Sequence, residues 1–444
     1  MSASGQMSLG ESDRRPRRIT AWQWLRRILF LTAVSLFLTT SSVVPEREFD
    51  LRLAPLLASQ RFDWVDWETD VLLEETLWLL QGRPLSGDVS QQRAEVRGYL
   101  AEQQRMENLE ARIRGEYARL PQSTAESPAD SPDDHLSSVE PLEHDLYELR
   151  RQQTEAAFRI ERIMADQTAR VLVAEGLGGG AHVWPPISFR FNDMPTYLVI
   201  SPRDEIRQYR GIFLLPGVTE AERARLETAI EAQLHVSALV DDVGGIGVWP
   251  TMVTDSASLR SLLDIIAHEW THTYLFFRPL GIHYGDSRDL TTMNETVASI
   301  VGEEVADLVI SDYYPELAPS SAEAGSGAEA EDTQPDEFDL AMRRIRRHVD
   351  DLLAEGRVTE AETYMEVERQ KLVEAGYRLR RLNQAYFAFH GSYATSPASV
   401  DPIGPWMRQL RAQSGSLKAF VDQVAGMRTL DELLDALGED TLSR

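Results

Sequence analysis

The stretch LLDIIAHEWTHTYLFF, from Leu262 to Phe277, constrains the fold and the chemistry of this chain more than any other segment. Its apolar residues recur at the three- and four-residue spacing of an amphipathic helix, which predicts a helix over 256–277. Because His268 and His272 are four residues apart, both imidazoles project from one face of that helix. Polar side chains of this kind on an apolar helix are costly to bury unless they bind a cation.

The HExxH pattern of this helix, His268, Glu269 and His272, has the chemistry of a zinc site. The chain has no cysteine, so a metal ion must be held by histidines and carboxylates. Zinc accepts two imidazole nitrogens and one carboxylate oxygen in a tetrahedral site and leaves the fourth position to water. The ion lowers the pKa of that water to about 7, and Glu269 is predicted to accept its proton as the general base. One zinc ion is the expected cofactor.

A third ligand is expected from the next helical segment, TTMNETVASIVGEEVADL. The apolar spacing predicts a helix over 292–311, and Glu295 lies in its first turn, 23 residues after the second histidine. Asp286 and Asp289 are the alternatives, because the intervening loop GIHYGDSRD can also present carboxylates to a metal.

An HExxH helix followed by an NExxx helix resembles the gluzincin metallopeptidases, the class that includes thermolysin and a group of zinc aminopeptidases. The resemblance covers about Leu262–Gly302 and is specific for the class rather than for one family in it. It implies a zincin-like fold and peptide-bond hydrolysis, with Glu269 as the base and, as zinc ligands, His268, His272 and Glu295. The metzincin form is excluded, because it requires glycine and histidine where this chain has Leu275 and Arg278.

The chain departs from the thermolysin-like pattern at Ser299, where those enzymes carry an aspartate four residues after the ligand glutamate. The hydrogen-bond partner of a ligand histidine must then come from elsewhere, and the candidates are Asp264, Asp307 or a backbone carbonyl.

Hydrolysis also requires a donor for the developing oxyanion, and the segment LNQAYFAFHGSYA offers Tyr386, His390 and Tyr393. The alternative role for these aromatic residues is to pack in the hydrophobic core. His283 and Tyr284, which follow the HExxH helix, are lesser candidates.

The N-terminus is predicted to be an uncleaved membrane anchor. Six arginines between Arg14 and Arg27 precede an uncharged apolar run from Ile28 to Val44. Positive charge before an apolar run predicts a cytoplasmic N-terminus and places the catalytic part on the extracytoplasmic side.

The hydrophobic spacing and turn residues of the rest of the sequence predict an α+β, zincin-like protein with a helical hairpin before its catalytic unit. The hairpin helices are expected at 90–120 and 140–177, with a polar connector at 121–135. A small mixed sheet should precede the HExxH helix, and GGIGVWPTMV is expected to be its edge strand, available to an extended peptide. The predicted segments are a basic N-terminus (1–27), an anchor (28–44), a helical region (45–177), the catalytic unit (178–312), a disordered acidic insertion (313–337) and a helical C-terminal subdomain (338–444).

A net charge of −26 repels phosphate backbones, which argues against nucleic acid as a partner. We therefore predict a membrane-anchored zinc metallopeptidase acting on peptides or proteins, with endopeptidase and aminopeptidase activity both open. The alternatives are a catalytically inactive zincin-like module for membrane-tethered binding or assembly, and a metal-dependent hydrolase of non-peptide amides.

Overall fold

The computed structural model combines helices with two small sheets. The residues that it describes are 47–57, 60–64, 67–69, 71–72, 75–76, 85–119, 132–178, 182–255, 258–317, 337–391 and 402–438. Leu56–Arg444 forms one compact unit, and of the other unit, Met1–Pro55, only residues 47–55 are described. Within the described ranges no helix has the length and apolar character needed to cross a membrane. The predicted basic terminus, the anchor, Tyr393 and nearly all of the acidic insertion lie outside those ranges.

Helices dominate the described residues. They are α1 (Arg47–Leu57), α2 (Val89–Arg119), α3 (Pro132–Ala174), α4 (Glu220–Leu234), α5 (Leu259–Leu275), α6 (Pro279–Ile282), α7 (Arg288–Tyr313), α8 (Glu337–Ala354), α9 (Val358–Glu374), α10 (Gln384–His390), α11 (Ile403–Gln413), α12 (Leu417–Ala425) and α13 (Leu430–Leu437). The strands are β1 (Phe189–Phe191), β2 (Thr196–Ser201), β3 (Arg210–Leu214), β4 (Ser237–Asp241), β5 (Gly245–Ile246) and β6 (Thr251–Val253).

Helices α2 and α3 form the predicted antiparallel hairpin. Arg150 of α3 donates to Glu110 of α2, whereas Gln153, which comes later in α3, donates to the carbonyl of Tyr99, which comes earlier in α2. The two helices therefore run in opposite directions. The second helix begins at Pro132, eight residues before the predicted start, because proline is well tolerated in the first turn, where its missing N–H has no partner to lose. The four residues 132–135 therefore belong to the helix and not to the connector. The middle of the hairpin has its own small apolar cluster of Met106, Leu109, Ile113 and Leu146.

The strands form two three-stranded sheets instead of the single small sheet that the sequence predicted. One has the order β3-β2-β4 and is antiparallel, and the other has the order β1-β6-β5 and is mixed. The predicted edge strand GGIGVWPTMV is divided between β5, at the edge, and β6, at the centre. Pro250 precedes β6, so its missing N–H falls outside the hydrogen-bonded ladder of a central strand.

Helix α4 follows the local sequence closely. Thr219 and Glu222 form a capping box, a pattern recognisable in the sequence, in which each side chain accepts from the other residue's backbone N–H. The helix ends at Leu234, because His235 takes up the left-handed conformation, with φ of 57°. Helix α4 packs against β4, the strand that follows it.

The main core lies around α5 and α7, which pack against each other along much of their length. Helix α7 begins at Arg288, four residues before the predicted start, because Ser287 caps it by accepting from Leu290 N. Every residue from Thr292 to Gly302 is buried, so α7 is surrounded by protein on all sides over three turns. Glu295 therefore lies two turns into the helix and not in its first turn.

Helices α5 and α7 are in close contact at Gly302. A Cβ atom there would lie 2.2 Å from Asp264 Oδ1 and 2.9 Å from Asp264 O. Real Cβ atoms do not approach backbone oxygens so closely, so only glycine permits this crossing. The close crossing brings the HExxH face of α5 against α7.

The predicted C-terminal helical subdomain divides between two cores. Helices α8, α9 and α10 have their own apolar cluster, whereas α11, α12 and α13 contribute to the main core around α5 and α7. Helix α11 begins at Ile403 and has Pro405 in its first turn, where proline is well tolerated.

Candidate metal centre

Two imidazoles of α5 form the first part of the candidate site. Leu262, Leu263 and Ile266 hold one face of the helix in the main core, which leaves the opposite histidine face toward α7. The Nε2 atoms of His268 and His272 are 3.1 Å apart, with ring planes at 76°. Two ring nitrogens this close can share a proton or bind one cation, and we call the space beside them the common position.

Glu295 of α7 supplies the third group at that position. Its Oε2 atom lies 3.5 Å from Nε2 of His268 and 3.5 Å from Nε2 of His272. Its Oε1 atom accepts a hydrogen bond from the hydroxyl of Tyr284 at 2.6 Å. Only 6% of Glu295 is exposed, and Oε2 is buried without a hydrogen-bond partner among the described residues. A buried carboxylate oxygen that has no hydrogen bond and faces two imidazoles fits a shared cation, either a proton on a histidine or a metal ion.

The spacing of the three atoms fits a tetrahedral ion. Zinc–nitrogen and zinc–oxygen bonds of about 2.0–2.1 Å separate neighbouring ligand atoms by roughly 3.3 Å. The observed separations of 3.1, 3.5 and 3.5 Å bracket that value. The residues present therefore fit a zinc ion held by two histidines and one glutamate.

The same residues interact strongly without a cation. Burial alone would lower the pKa of His272, but its attraction to Glu295 outweighs burial and raises the pKa to about 9. Burial would raise the pKa of Glu295, but attraction to both histidines holds it far below its ordinary value. At neutral pH a cation must displace the proton of His272, so metal binding should weaken as the pH falls.

Asn294 orients His272, a role that the sequence did not predict. Nδ1 of His272 lies 2.8 Å from Oδ1 of Asn294, whose Nδ2 atom is directed toward the carbonyl of Leu280 at 3.5 Å. A ring that donates from Nδ1 presents the lone pair of Nε2 to the common position. The only signal in the sequence was the position of Asn294 directly before the candidate ligand Glu295.

Replacement of Asn294 by leucine is expected to weaken zinc binding by about 10–100-fold, because the ring of His272 loses the acceptor that fixes its tautomer. Asn294→Asp keeps an oxygen acceptor at the same place and should restore most of the affinity. Competition of each variant with a fluorescent zinc chelator measures the difference. Equal affinity of the leucine variant and the wild type would contradict this role for Asn294.

The sequence left Asp264, Asp307 or a backbone carbonyl as the partner of a ligand histidine, and the two aspartates have different contacts in the structure. Asp307 pairs with Arg260 at 2.8 Å, and Ser299 donates to the backbone carbonyl of Glu295 at 2.9 Å. Asp264 lies one turn before His268, and the attraction of His268 opposes the burial that raises the pKa of this carboxyl. Of Asp264, Asp307 and Ser299, Asp264 is the side chain that interacts electrostatically with His268.

Glu269 lies beside the histidines under the edge strand β5. A Cβ atom on Gly245 would be 2.8 Å from its Oε1, and a Cβ atom on Gly247 would be 2.9 Å from its Oε2. Gly247 also approaches His272, whose Cβ would be 3.6 Å away. Burial raises the pKa of Glu269, which makes the carboxylate a stronger base. The glycines of GGIG therefore leave space for the carboxylate between the strand and the helix.

The predicted oxyanion donors of α10 have other contacts. His390 pairs with Asp241 of β4 at 2.9 Å, and Tyr386 packs on the ring of His390 at 4.3 Å. The structure brings Tyr284, a lesser candidate, to the site instead: its hydroxyl reaches Glu295, and its ring lies 6.2 Å from that of His272.

The alternative ligands in the loop do not join the histidines. Asp286 is exposed and pairs with His283 at 2.6 Å, and Asp289 lies in the first turn of α7. Among the residues with described positions, the group of metal-ligating side chains that contains the two histidines is completed by Glu295.

Comparison with known proteins adds no further support. No family model, no curated protein and no solved structure matches this chain.

Proposed function

We propose that this protein is a zinc-dependent hydrolase of peptide bonds, with His268, His272 and Glu295 as ligands and Glu269 as the general base. The observation that carries the proposal is the buried Oε2 of Glu295, which has no hydrogen-bond partner within the described part of the chain and lies equally far from two imidazole nitrogens. A bound zinc ion would polarise a substrate carbonyl and lower the pKa of a water in its open position.

The chain's own groups have distinct roles in this proposal. Glu269 accepts the proton of the attacking water, because its buried carboxylate is more basic than an exposed one. Tyr284 holds Oε1 of Glu295, which directs Oε2 toward the histidines. Asn294 fixes the ring of His272 in the same way. These contacts keep the three ligand atoms in one geometry before a substrate binds.

Substrate orientation is assigned to β5. This strand lies at the edge of its sheet, and Gly245 in the strand and Gly247 directly after it lie against the carboxylate of Glu269. An extended peptide can pair with the outer edge of such a strand through main-chain hydrogen bonds. Pairing there would place a peptide carbonyl near the basic carboxylate. This geometry favours peptides over small amides.

The proposal includes an extracytoplasmic location. It rests on the sequence alone, in which arginines precede the apolar run Ile28–Val44.

The proposal is tested with the purified full-length protein, by metal analysis and by mass spectrometry of a mixed peptide library after incubation. We expect about one zinc ion per chain, cleavage that a chelator abolishes, and recovery when zinc is restored. Absence of bound zinc would reject the site. Zinc without turnover of any peptide or small amide would favour the binding module, and turnover of small amides alone would favour a non-peptide amidase.

A further inference from the structure

Exposed apolar side chains are concentrated at one end of the HExxH helix. Of the fourteen large apolar side chains that are exposed in the described part of the chain, four lie between residues 276 and 284. They are Phe276 (60% exposed), Phe277 (61%), Ile282 (65%) and Tyr284 (40%). Exposed apolar residues are unremarkable when scattered, but a cluster marks an interaction surface.

This cluster is continuous with the candidate metal centre. Phe276 follows His272 by four residues and so extends the same face of α5, and its N–H donates to the carbonyl of His272. The rings of Phe276 and Phe277 pack edge to face, with centroids 5.2 Å apart. Tyr284 connects the cluster to Glu295 through its hydroxyl. A peptide bound at the metal centre would have a neighbouring side chain beside these residues.

The charged side chain of the segment from Phe276 to Ile282 contacts Tyr274 and not the exposed apolar side chains. Arg278 is the only charged residue between Phe276 and Ile282, and it folds back onto Tyr274. Its guanidinium lies 3.4 Å from the centre of the Tyr274 ring and donates to the carbonyl of the same residue at 2.7 Å. The surface that remains is apolar.

We propose that Phe276, Phe277 and Ile282, which we call the apolar ledge, bind a bulky apolar side chain of the substrate next to the cleaved bond. The inference rests on the proposed peptidase function and names its substrate class: peptides with a large aliphatic or aromatic residue on one side of the scissile bond. Such a side chain would lose its contact with water against the ledge, which favours its binding.

A substrate side chain fits the ledge better than a lipid bilayer does. Surfaces that lie on membranes surround their apolar residues with lysine and arginine, which attract anionic lipids. Around this ledge, Arg278 and Arg288 are balanced by Asp286 and Asp289, and Arg278 is turned onto Tyr274. The ledge also adjoins the candidate metal ligands, where a substrate must lie.

The test compares the full-length wild type with the combined variant Phe276→Ser/Phe277→Ser/Ile282→Ser. Both proteins digest the same mixed peptide library, and mass spectrometry gives the residues on each side of every cleaved bond. We expect the wild type to prefer Leu, Ile, Phe or Met at one of these positions. The variant should cleave such peptides about tenfold or more slowly in kcat/KM, while peptides with Ser or Gly there change by less than about twofold.

A matched control is Leu340→Ser/Val367→Ser, which removes apolar side chains of similar exposure from α8 and α9. The control should keep the wild-type cleavage pattern, and all three proteins should contain equal zinc. An unchanged pattern in the ledge variant, or a wild type without apolar preference, would overturn the ledge but leave the peptidase proposal intact. A zinc-loaded wild type that cleaves no peptide would overturn both proposals.

Discussion

The Glu269→Gln variant is expected to bind zinc as the wild type does and to hydrolyse peptides about 10²–10⁴-fold more slowly. Glutamine has the shape of glutamate and fits between Gly245 and Gly247, where a Cβ atom would come within 3 Å of the carboxylate oxygens. The amide cannot accept a proton from the attacking water. The expected loss therefore appears in kcat, whereas the metal ligands remain unchanged.

Metal content and kcat of this variant should be measured on the same preparation, with Glu304→Gln as the control. Glu304 is on α7 like the ligand Glu295, but it pairs with Arg411 through both oxygens at 2.8 Å. Loss of a partly exposed ion pair costs at most about 1 kcal/mol of stability, so the control should stay active. If Glu269→Gln turned over peptides at the wild-type rate, another residue would be the base.

The local features of this site could be predicted from the sequence because they depend on short spacings. A separation of four residues on a helix places His268 and His272 on one face whatever surrounds them. The capping box at Thr219 is likewise decided by residues three positions apart. In both places the structure agrees with the sequence, because the governing contacts lie within one or two turns of a helix.

The supporting contacts could not be predicted because they join segments through space. Tyr284 reaches Glu295 from the end of a four-residue helix, and the glycines of β5 matter only because Glu269 lies beneath them. The division of the strands into two sheets is also non-local, since β1 and β6 pair although the other four described strands lie between them in the chain. Hydrophobic pattern alone does not set the register or partner of such short strands.

The sequence predicted the candidate ligand Glu295 in the first turn of a helix, whereas the structure buries it two turns into α7. This difference changes the energetics of the site. Asn294 and Glu295 lie in a stretch of α7 where every residue from 292 to 302 is buried, so an unpaired charged oxygen is costly there. Asn294 and Oε1 of Glu295 have such partners, and Oε2 has none among the described residues. A metal ion bound there would satisfy this oxygen and both imidazoles at once.

Removal of that oxygen is therefore expected to remove the metal. Structural zinc sites bind with about 10–16 kcal/mol at neutral pH, so each ligand of a four-coordinate ion contributes a few kcal/mol. At about 1.4 kcal/mol for each tenfold change, Glu295→Gln should weaken zinc binding by about 10²-fold or more. The amide of the substituted side chain keeps an oxygen that can accept from Tyr284, so the variant should still fold. His272→Ala is expected to lose zinc to a similar extent.

The matched controls are Asp286→Asn and Asp289→Asn, which remove the carboxylates that the sequence left as alternatives. Asp286 pairs with His283, and Asp289 lies at the N-terminal turn of α7, so neither change should alter the zinc content. All variants are compared by metal analysis after dialysis against a weak chelator, with circular dichroism to show that each is folded. If Glu295→Gln kept its zinc while one of the aspartate variants lost it, the ion would lie in the loop between α5 and α7. The buried carboxylate of α7 would then require a different explanation.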